Sequence, residues 1–246
     1  MSEIRKNYNK DELKRLDSAH HMHPFTDSKG LDGDGGSRII TRGEGSHLFD
    51  IDGNKILDGM SGLWCTNIGY GRKELADVAH EQMQELPYYN TFFKTTTPAA
   101  ALLAQKVASL LPDDMNHVFF SGSGSEANDT NLRLARVFWQ LEGKPDKKVI
   151  ISRNNAYHGS TVAGASLGGM SAMHKQAGLE ISDIEHVQQP YWFAEGGDMD
   201  PDEFGIAAAK AVEEKILEVG ADDELQVGIY SFSAAGIISM TTLAEN

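Results

Sequence analysis

Only one cysteine, Cys65, occurs in the 246 residues. That excludes an intrachain disulfide framework and suits a reducing compartment. Positive charge is scarce as well: 22 Lys and Arg stand against 36 Asp and Glu, a formal net charge of -14. A surface this acidic repels phosphate backbones, which sets nucleic acid aside as a partner. Apolar runs are short, and none approaches the roughly 18 residues of a membrane-spanning helix. The opening MSEIRKNYNKDELKRL is charged and lacks the apolar stretch of a secretory signal. Internal repeats and low-complexity tracts are also missing. With 40% hydrophobic and 24% charged residues, the chain can bury a sizeable core. A cytoplasmic protein without a membrane partner is the expectation.

What the sequence does have is a change of period along its length. Asp11 to Arg15 opens a short charged helix, followed by HHMHPF and a Gly/Asp-rich loop from Gly30 to Gly36. Ile39 to Asp58 reads as β-structure, with Asp52-Gly53 between LFDI and KILD, where a tight hairpin favours that dipeptide. From Gly71 the period becomes helical, through Leu75, Val78, Ala79, Met83 and Leu86. Thr97-Pro98 reads as N-cap and first helical residue of AAALLAQKVASLL. A short strand is expected at His117 to Phe120, then the loop SGSGSE and a helix to about Leu141. A buried strand at Val149 to Ser152, the loop NNAYHGS and a strand near His186 to Gln188 follow. A long amphipathic helix then carries Phe204, Ala208, Ala211, Val212, Ile216 and Val219. Strands alternating with helices predict an α/β layer with a largely parallel sheet flanked by helices. Residues 1–70 are expected to form the N-terminal part of a small α+β domain. Residues 71–246 are expected to form part of a larger one, with 226–246 as an atypical tail.

The stretch FFSGSGSEANDT carries the most chemistry. The first N–H groups of a helix have no internal partner, and the helix dipole leaves partial positive charge beside them. Small residues let an anion approach those donors, and serine hydroxyls add more. The loop therefore suits a phosphate, although a serine-capped helix start would look the same by itself. No GK[ST] follows, and the glycine spacing misses GxGxxG, so neither a P-loop nor a dinucleotide fingerprint is present.

Five segments occur in order: HHMHPFTD, DGMSGLWCTNIGYG, YYNTFFKTTTP, SGSGSEANDT and NAYHGSTVAGASLGG. Together they resemble the class III aminotransferases, and within them the omega-amino-acid:pyruvate type, over about residues 10 to 225. The resemblance implies an incomplete fold type I transferase dependent on pyridoxal 5'-phosphate (PLP), homodimeric, with active sites at the subunit interface. Small-molecule amines and keto acids would be its substrates. Carried over by motif, Gly124 and Ser125 bind the cofactor phosphate, and Tyr157 stacks on the pyridine ring with His158 beside it. Phe25, Trp64, Phe92 and Phe93 line the substrate pocket. Aromatic walls suit that role and equally suit an ordinary core. Glu126 and Asn128 are expected to be structural. His20, His21 and His23 suggest a metal, but no carboxylate or thiolate sits at ligand spacing, so none is expected.

The same resemblance calls for a Schiff-base lysine and an aspartate for the pyridinium nitrogen, both after the long amphipathic helix. Neither is found there. Lys210 and Lys215 fall within AAAKAVEEKIL and read as surface residues, and DDELQVGIYSFSAAGIISMTTLAEN departs from the family pattern. The expectation is a chain truncated before its catalytic lysine. An inactive fragment, or a non-catalytic partner subunit that binds the PLP phosphate weakly, stays open as the alternative.

Overall fold

The computed structural model describes residues 8–112, 114–176, 180–220, 228–232 and 238–241. The chain divides into two compact units, Met1–Leu103 and Ala104–Asn246.

In the first unit, helix α1 (Lys10–His20) starts where the Asn9 side chain accepts the Glu12 N–H. The Gly/Asp-rich stretch expected as loop is in part a short helix, α2 (Ser28–Gly33). Asp27 caps it through the Lys29 N–H, and Gly35 and Gly36, at φ 85° and 81°, lead the chain away. Strands β1 (Ile40–Glu44), β2 (His47–Asp50) and β3 (Lys55–Leu57) form an antiparallel sheet in that order. At the turn from β2 to β3, the buried Asp50 carboxylate accepts the N–H groups of Asp52 and Asn54 and the Asn54 side-chain amide. These bonds, led by the Asn54 side chain, hold the Asp50 carboxyl below its ordinary pKa. Next, α3 (Ser61–Trp64) is a single turn with every φ between 50° and 62°. Left-handed backbone costs non-glycine residues about 1–2 kcal/mol each. Asp58 steadies the turn by accepting the N–H groups of Met60 and Gly62 and the Tyr70 hydroxyl. Helix α4 (Lys73–Glu85) follows, then α5 (Pro98–Ala108), which crosses the boundary after Leu103 and whose start is capped where the Thr97 hydroxyl accepts the Ala100 N–H.

The second unit opens with α6 (Gly124–Leu141), β4 (Ile150–Arg153), α7 (Val162–Leu167) and α8 (Ser171–His174). It continues with β5 (Ile184–Val187), α9 (Trp192–Glu195) and α10 (Pro201–Val219), then β6 (Gly228–Phe232) and β7 (Ile238–Thr241). The sheet order is β5-β4-β6-β7. Strand β4 is parallel to both neighbours, with Ile150 opposite Ile184 and Gly228, and β7 is antiparallel to β6. The tail that departs from the family pattern thus contributes two strands. Leu132 and Ala135 of α6, Ile150 of β4, and Ala163 and Leu167 of α7 form one buried cluster. Phe204 and Ala208 bury the inner face of α10. All the buried apolar side chains among the described residues belong to this unit.

One expected strand is corrected. His117 to Phe120 is not part of a sheet, because a strand needs a ladder partner and no described strand runs beside it. Phe119 and Phe120 are accordingly exposed.

The loop after β4 is held by a reciprocal backbone pair: Asn155 N–H to Gly169 O, and Gly169 N–H to Ala156 O, both 2.9 Å. A Cβ on Gly169 would lie 2.2 Å from the Arg153 carbonyl oxygen. Overpacking against backbone typically costs about 1–3 kcal/mol. Gly169→Ala should therefore lower the urea midpoint of the 1–246 chain by a corresponding amount, and an unchanged midpoint would show that the loop does not pass this close.

Candidate cofactor site

Helix α6 begins with a reciprocal cap. Ser123 is extended, at φ -159° and ψ 165°, and its hydroxyl accepts the Glu126 N–H. The Glu126 carboxylate turns back and accepts the Gly122 N–H at 2.7 Å. The Ala127 N–H reaches the Ser123 carbonyl at 3.0 Å. Between these bonded groups lie the N–H groups of Gly124 and Ser125, which meet no acceptor among the described residues. A Cβ on Gly124 would find nothing within 4 Å. Two free donors at the positive end of an 18-residue helix, facing open space, fit a phosphate group.

The loop bearing Tyr157 and His158 is laced onto the first turns of α6. The buried Asn128 amide donates to the His158 carbonyl at 2.6 Å. Asp129 Oδ1 accepts the Thr161 hydroxyl at 2.5 Å and the Gly164 N–H at 3.2 Å, and so sits at the N-terminus of α7. The Ser125 hydroxyl accepts the Ser160 N–H at 3.3 Å. Gly159 takes φ 129°, and a Cβ there would lie 2.5 Å from Ser125 Oγ. Only glycine fits this approach. The structure thereby brings Gly124, Ser125, Tyr157 and His158 to neighbouring loops of one unit. Tyr157 is half-exposed. His158 is 8% exposed, and burial first, then the charge of His186, pushes its pKa down to about 4. It is therefore neutral at pH 7. Behind it, the Nε2 atoms of His174 and His186 both approach the Gly168 carbonyl, at 2.5 and 2.9 Å. A carbonyl only accepts, so each ring carries its proton on Nε2.

Asn128 has the structural role that its place after the loop implies. The bonds from Asp129, Ser160 and Thr161 have no such sequence signal, because they join residues 32 to 35 positions apart. The local signal for Thr161 was its place as N-cap of a short helix.

The four aromatic residues assigned to a substrate pocket all lie in the first unit. Phe25, Trp64, Phe92 and Phe93 are 72%, 65%, 70% and 92% exposed, so none is core. Phe25, Trp64 and Phe93 share a left-handed backbone, at φ 50°, 62° and 56°. Phe92 and Phe93 pack as a tilted pair with ring centres 6.0 Å apart.

Two further expectations are corrected. Lys210 is exposed, as expected, but the Lys215 side chain is only 20% exposed. It pairs with Glu218 at 2.7 Å and Glu185 at 3.6 Å, because α10 packs against β5. And the HHMHPF histidines do have a carboxylate: Asp17, on the last turn of α1, bonds both His21 and His23.

The family profile described as "Aminotransferase class-III" matches residues 33–221. The chain belongs to this family. It is 57% identical over 212 residues to the putrescine–pyruvate aminotransferase of Pseudomonas aeruginosa, covering 86% of this chain and 46% of that enzyme. To the β-alanine–pyruvate aminotransferase of the same organism it is 41% identical over 172 residues, 69% of this chain and 38% of the other. An (S)-enantioselective omega-transaminase from Thermomicrobium roseum superposes with a TM-score of 0.83 at 35% identity, over 91% of this chain and 49% of that one. The chain thus spans about half the length of the relatives it matches. Class III aminotransferases are PLP-dependent enzymes of fold type I, and this class III chain shares that fold.

Two measurements check the site. A leucine at Gly124 meets no protein atom near its Cβ and fills the space before the two free donors. Gly124→Leu should fold normally yet bind PLP or inorganic phosphate about tenfold or more weakly, since a bond to a charged group is worth about 1.5–3 kcal/mol. Equal affinity in a titration would make the loop a helix start only. For His158, the unfolded chain takes up its proton near pH 6.5 and the folded chain only near 4. This contribution to stability is complete above pH 6.5 and declines as pH falls towards about 4. His158→Asn should flatten that part of the urea-midpoint profile, which a midpoint-versus-pH series would show.

Proposed function

We propose that this chain provides the phosphate-binding and ring-stacking part of an aminotransferase that moves an amino group from an amine or omega-amino acid to a keto acid such as pyruvate. The observation that carries the reading is the pair of free N–H groups at Gly124 and Ser125, beside a loop laced to the same helix that carries Tyr157. The 57% identity to a putrescine–pyruvate aminotransferase supports the choice of amine donor and pyruvate acceptor. When bound, PLP supplies the carbonyl that takes the amino group and the conjugated ring that draws electrons from the reacting carbon.

The chain's own residues hold and orient. Gly124 and Ser125 donate to the phosphate, with the helix dipole behind them. Tyr157 would stack on the pyridine ring. Asn128, Asp129 and Gly159 keep the Tyr157 loop at a fixed distance from the phosphate donors. His158, uncharged, would sit beside the same ring. Phe25, Trp64, Phe92 and Phe93 offer apolar walls for the carbon skeleton of the substrate. Assembly as a homodimer belongs to the same proposal, as does a cytoplasmic location. Among the described residues, no helix is long and apolar enough to cross a membrane.

No lysine of α10 is suited to anchor the cofactor: Lys210 faces solvent, and Lys215 is engaged by Glu185 and Glu218. The anchoring lysine is proposed to lie in the part of the relatives' length that this chain does not cover. The test is a chimera joining residues 1–220 to the uncovered part of the Pseudomonas aeruginosa enzyme. It should retain PLP and transfer amino groups from putrescine or β-alanine to pyruvate. A folded chimera that holds PLP and transfers from neither donor would overturn the proposal. The 1–246 chain alone should not exceed a free-PLP control, because proton transfer by a positioned base normally supplies about 10²–10⁴-fold. Turnover above that control, abolished by Lys210→Ala or Lys215→Ala, would show that a helix lysine does serve.

A further inference from the structure

We propose that Asp17, His21 and His23 form a binding site for one divalent ion of the zinc type. Asp17 Oδ1 lies 2.8 Å from His21 Nδ1, and Asp17 Oδ2 lies 2.9 Å from His23 Nε2. One ligand atom from each of the three residues fits within a 4.8 Å span, and the two imidazole centres are 4.2 Å apart with planes tilted by 46°. Ligand atoms about 2.0–2.2 Å from one tetrahedral ion stand roughly 3.3–3.6 Å from each other. Admitting an ion therefore lengthens the two hydrogen-bond contacts by about 0.5–0.8 Å and closes any wider pair, at most 4.8 Å apart, by up to roughly 1.5 Å, a movement that side-chain rotation supplies.

The donor set selects the metal. Two imidazole nitrogens and one carboxylate oxygen suit zinc, nickel or cobalt, whereas magnesium and calcium require oxygen throughout. The site is also supported from behind. The Ser37 hydroxyl donates to Asp17 Oδ2 at 2.5 Å and fixes the carboxylate, as groups behind a metal's ligands commonly do. Exposure is graded, at 18% for the Asp17 side chain, 25% for His23 and 60% for His21, which leaves one open side for water. His21 is the C-cap of α1, where the helix dipole is negative and a cation is favoured. An ion bound here ties the end of α1 to the strand of chain two residues before Phe25, and so orders the segment that presents that ring.

The test uses the 1–246 chain made without a polyhistidine tag and stripped with chelator. Calorimetric titration with Zn²⁺ should show one ion per chain, with no saturable heat from Mg²⁺ or Ca²⁺. Asp17→Asn and His23→Ala should each weaken binding at least tenfold, and Ser37→Ala about tenfold. His80→Ala, on α4, should leave it unchanged. Since these variants also remove hydrogen bonds, the unaltered chain gives an independent reading. Zn²⁺ should slow diethylpyrocarbonate modification of His21 and His23, mapped by mass spectrometry, and leave that of exposed His80 unaffected. Absence of saturable Zn²⁺ binding, or protection that falls on other histidines, would reduce the cluster to a hydrogen-bonded scaffold and overturn the proposal.

Discussion

When the segment after β4 folds across the start of α6, the His158 carbonyl leaves water and must find a donor. Asn128 supplies it at 2.6 Å, and both residues are buried. An unmet carbonyl there would cost about 1–3 kcal/mol, so the bond decides whether the loop can lie down at all. Once it does, the remaining contacts follow. Ser160 reaches Ser125, Thr161 reaches Asp129, and Gly159 slides against the Ser125 backbone at a distance no side chain allows. The Gly124 and Ser125 N–H groups and the loop that carries Tyr157 are thereby set by one helix rather than by two independent loops.

The first unit is organised on another principle. Among its described residues no apolar side chain is buried, and its joints are carboxylates. Asp17 gathers two histidines and Ser37, Asp50 closes a hairpin, and Asp58 steadies the left-handed turn. Each of the three has its pKa lowered, with a hydrogen bond from a neighbouring side chain as the largest cause. Polar joints give direction more than they give stability, because exposed pairs contribute little. The large exposed apolar surface of this unit is of the kind that other protein surface normally covers.

Much of this was legible in the sequence because it is local. Ser123 before Glu126, Thr97 before Pro98 and the Asp52-Gly53 turn announce their elements within a few residues. The parallel sheet followed from the alternation of strand and helix, and the family from five ordered motifs. The illegible parts depend on partners remote in the chain or on backbone geometry. Phe119 and Phe120 have strand composition, but composition cannot supply a ladder. Lys215 has surface composition, but α10 brings it to Glu185. The Asp17–His21 contact spans four residues, yet His23 joins it only because the chain turns after the helix ends. Nothing in SGLW announces four successive residues of positive φ.

That last feature changes what substitution means in the first unit. Phe25, Trp64 and Phe93 carry bulky rings on backbone that suits glycine. At an ordinary position, trimming an aromatic residue to glycine enlarges a cavity and also loosens the chain. At these three the backbone term has the opposite sign, since removing the Cβ releases about 1–3 kcal/mol of conformational strain. The rings are already mostly exposed, so little packing is lost in exchange. Trimming one of these rings therefore sets a small loss of packing against a gain in backbone freedom, the reverse of the balance at a buried aromatic position.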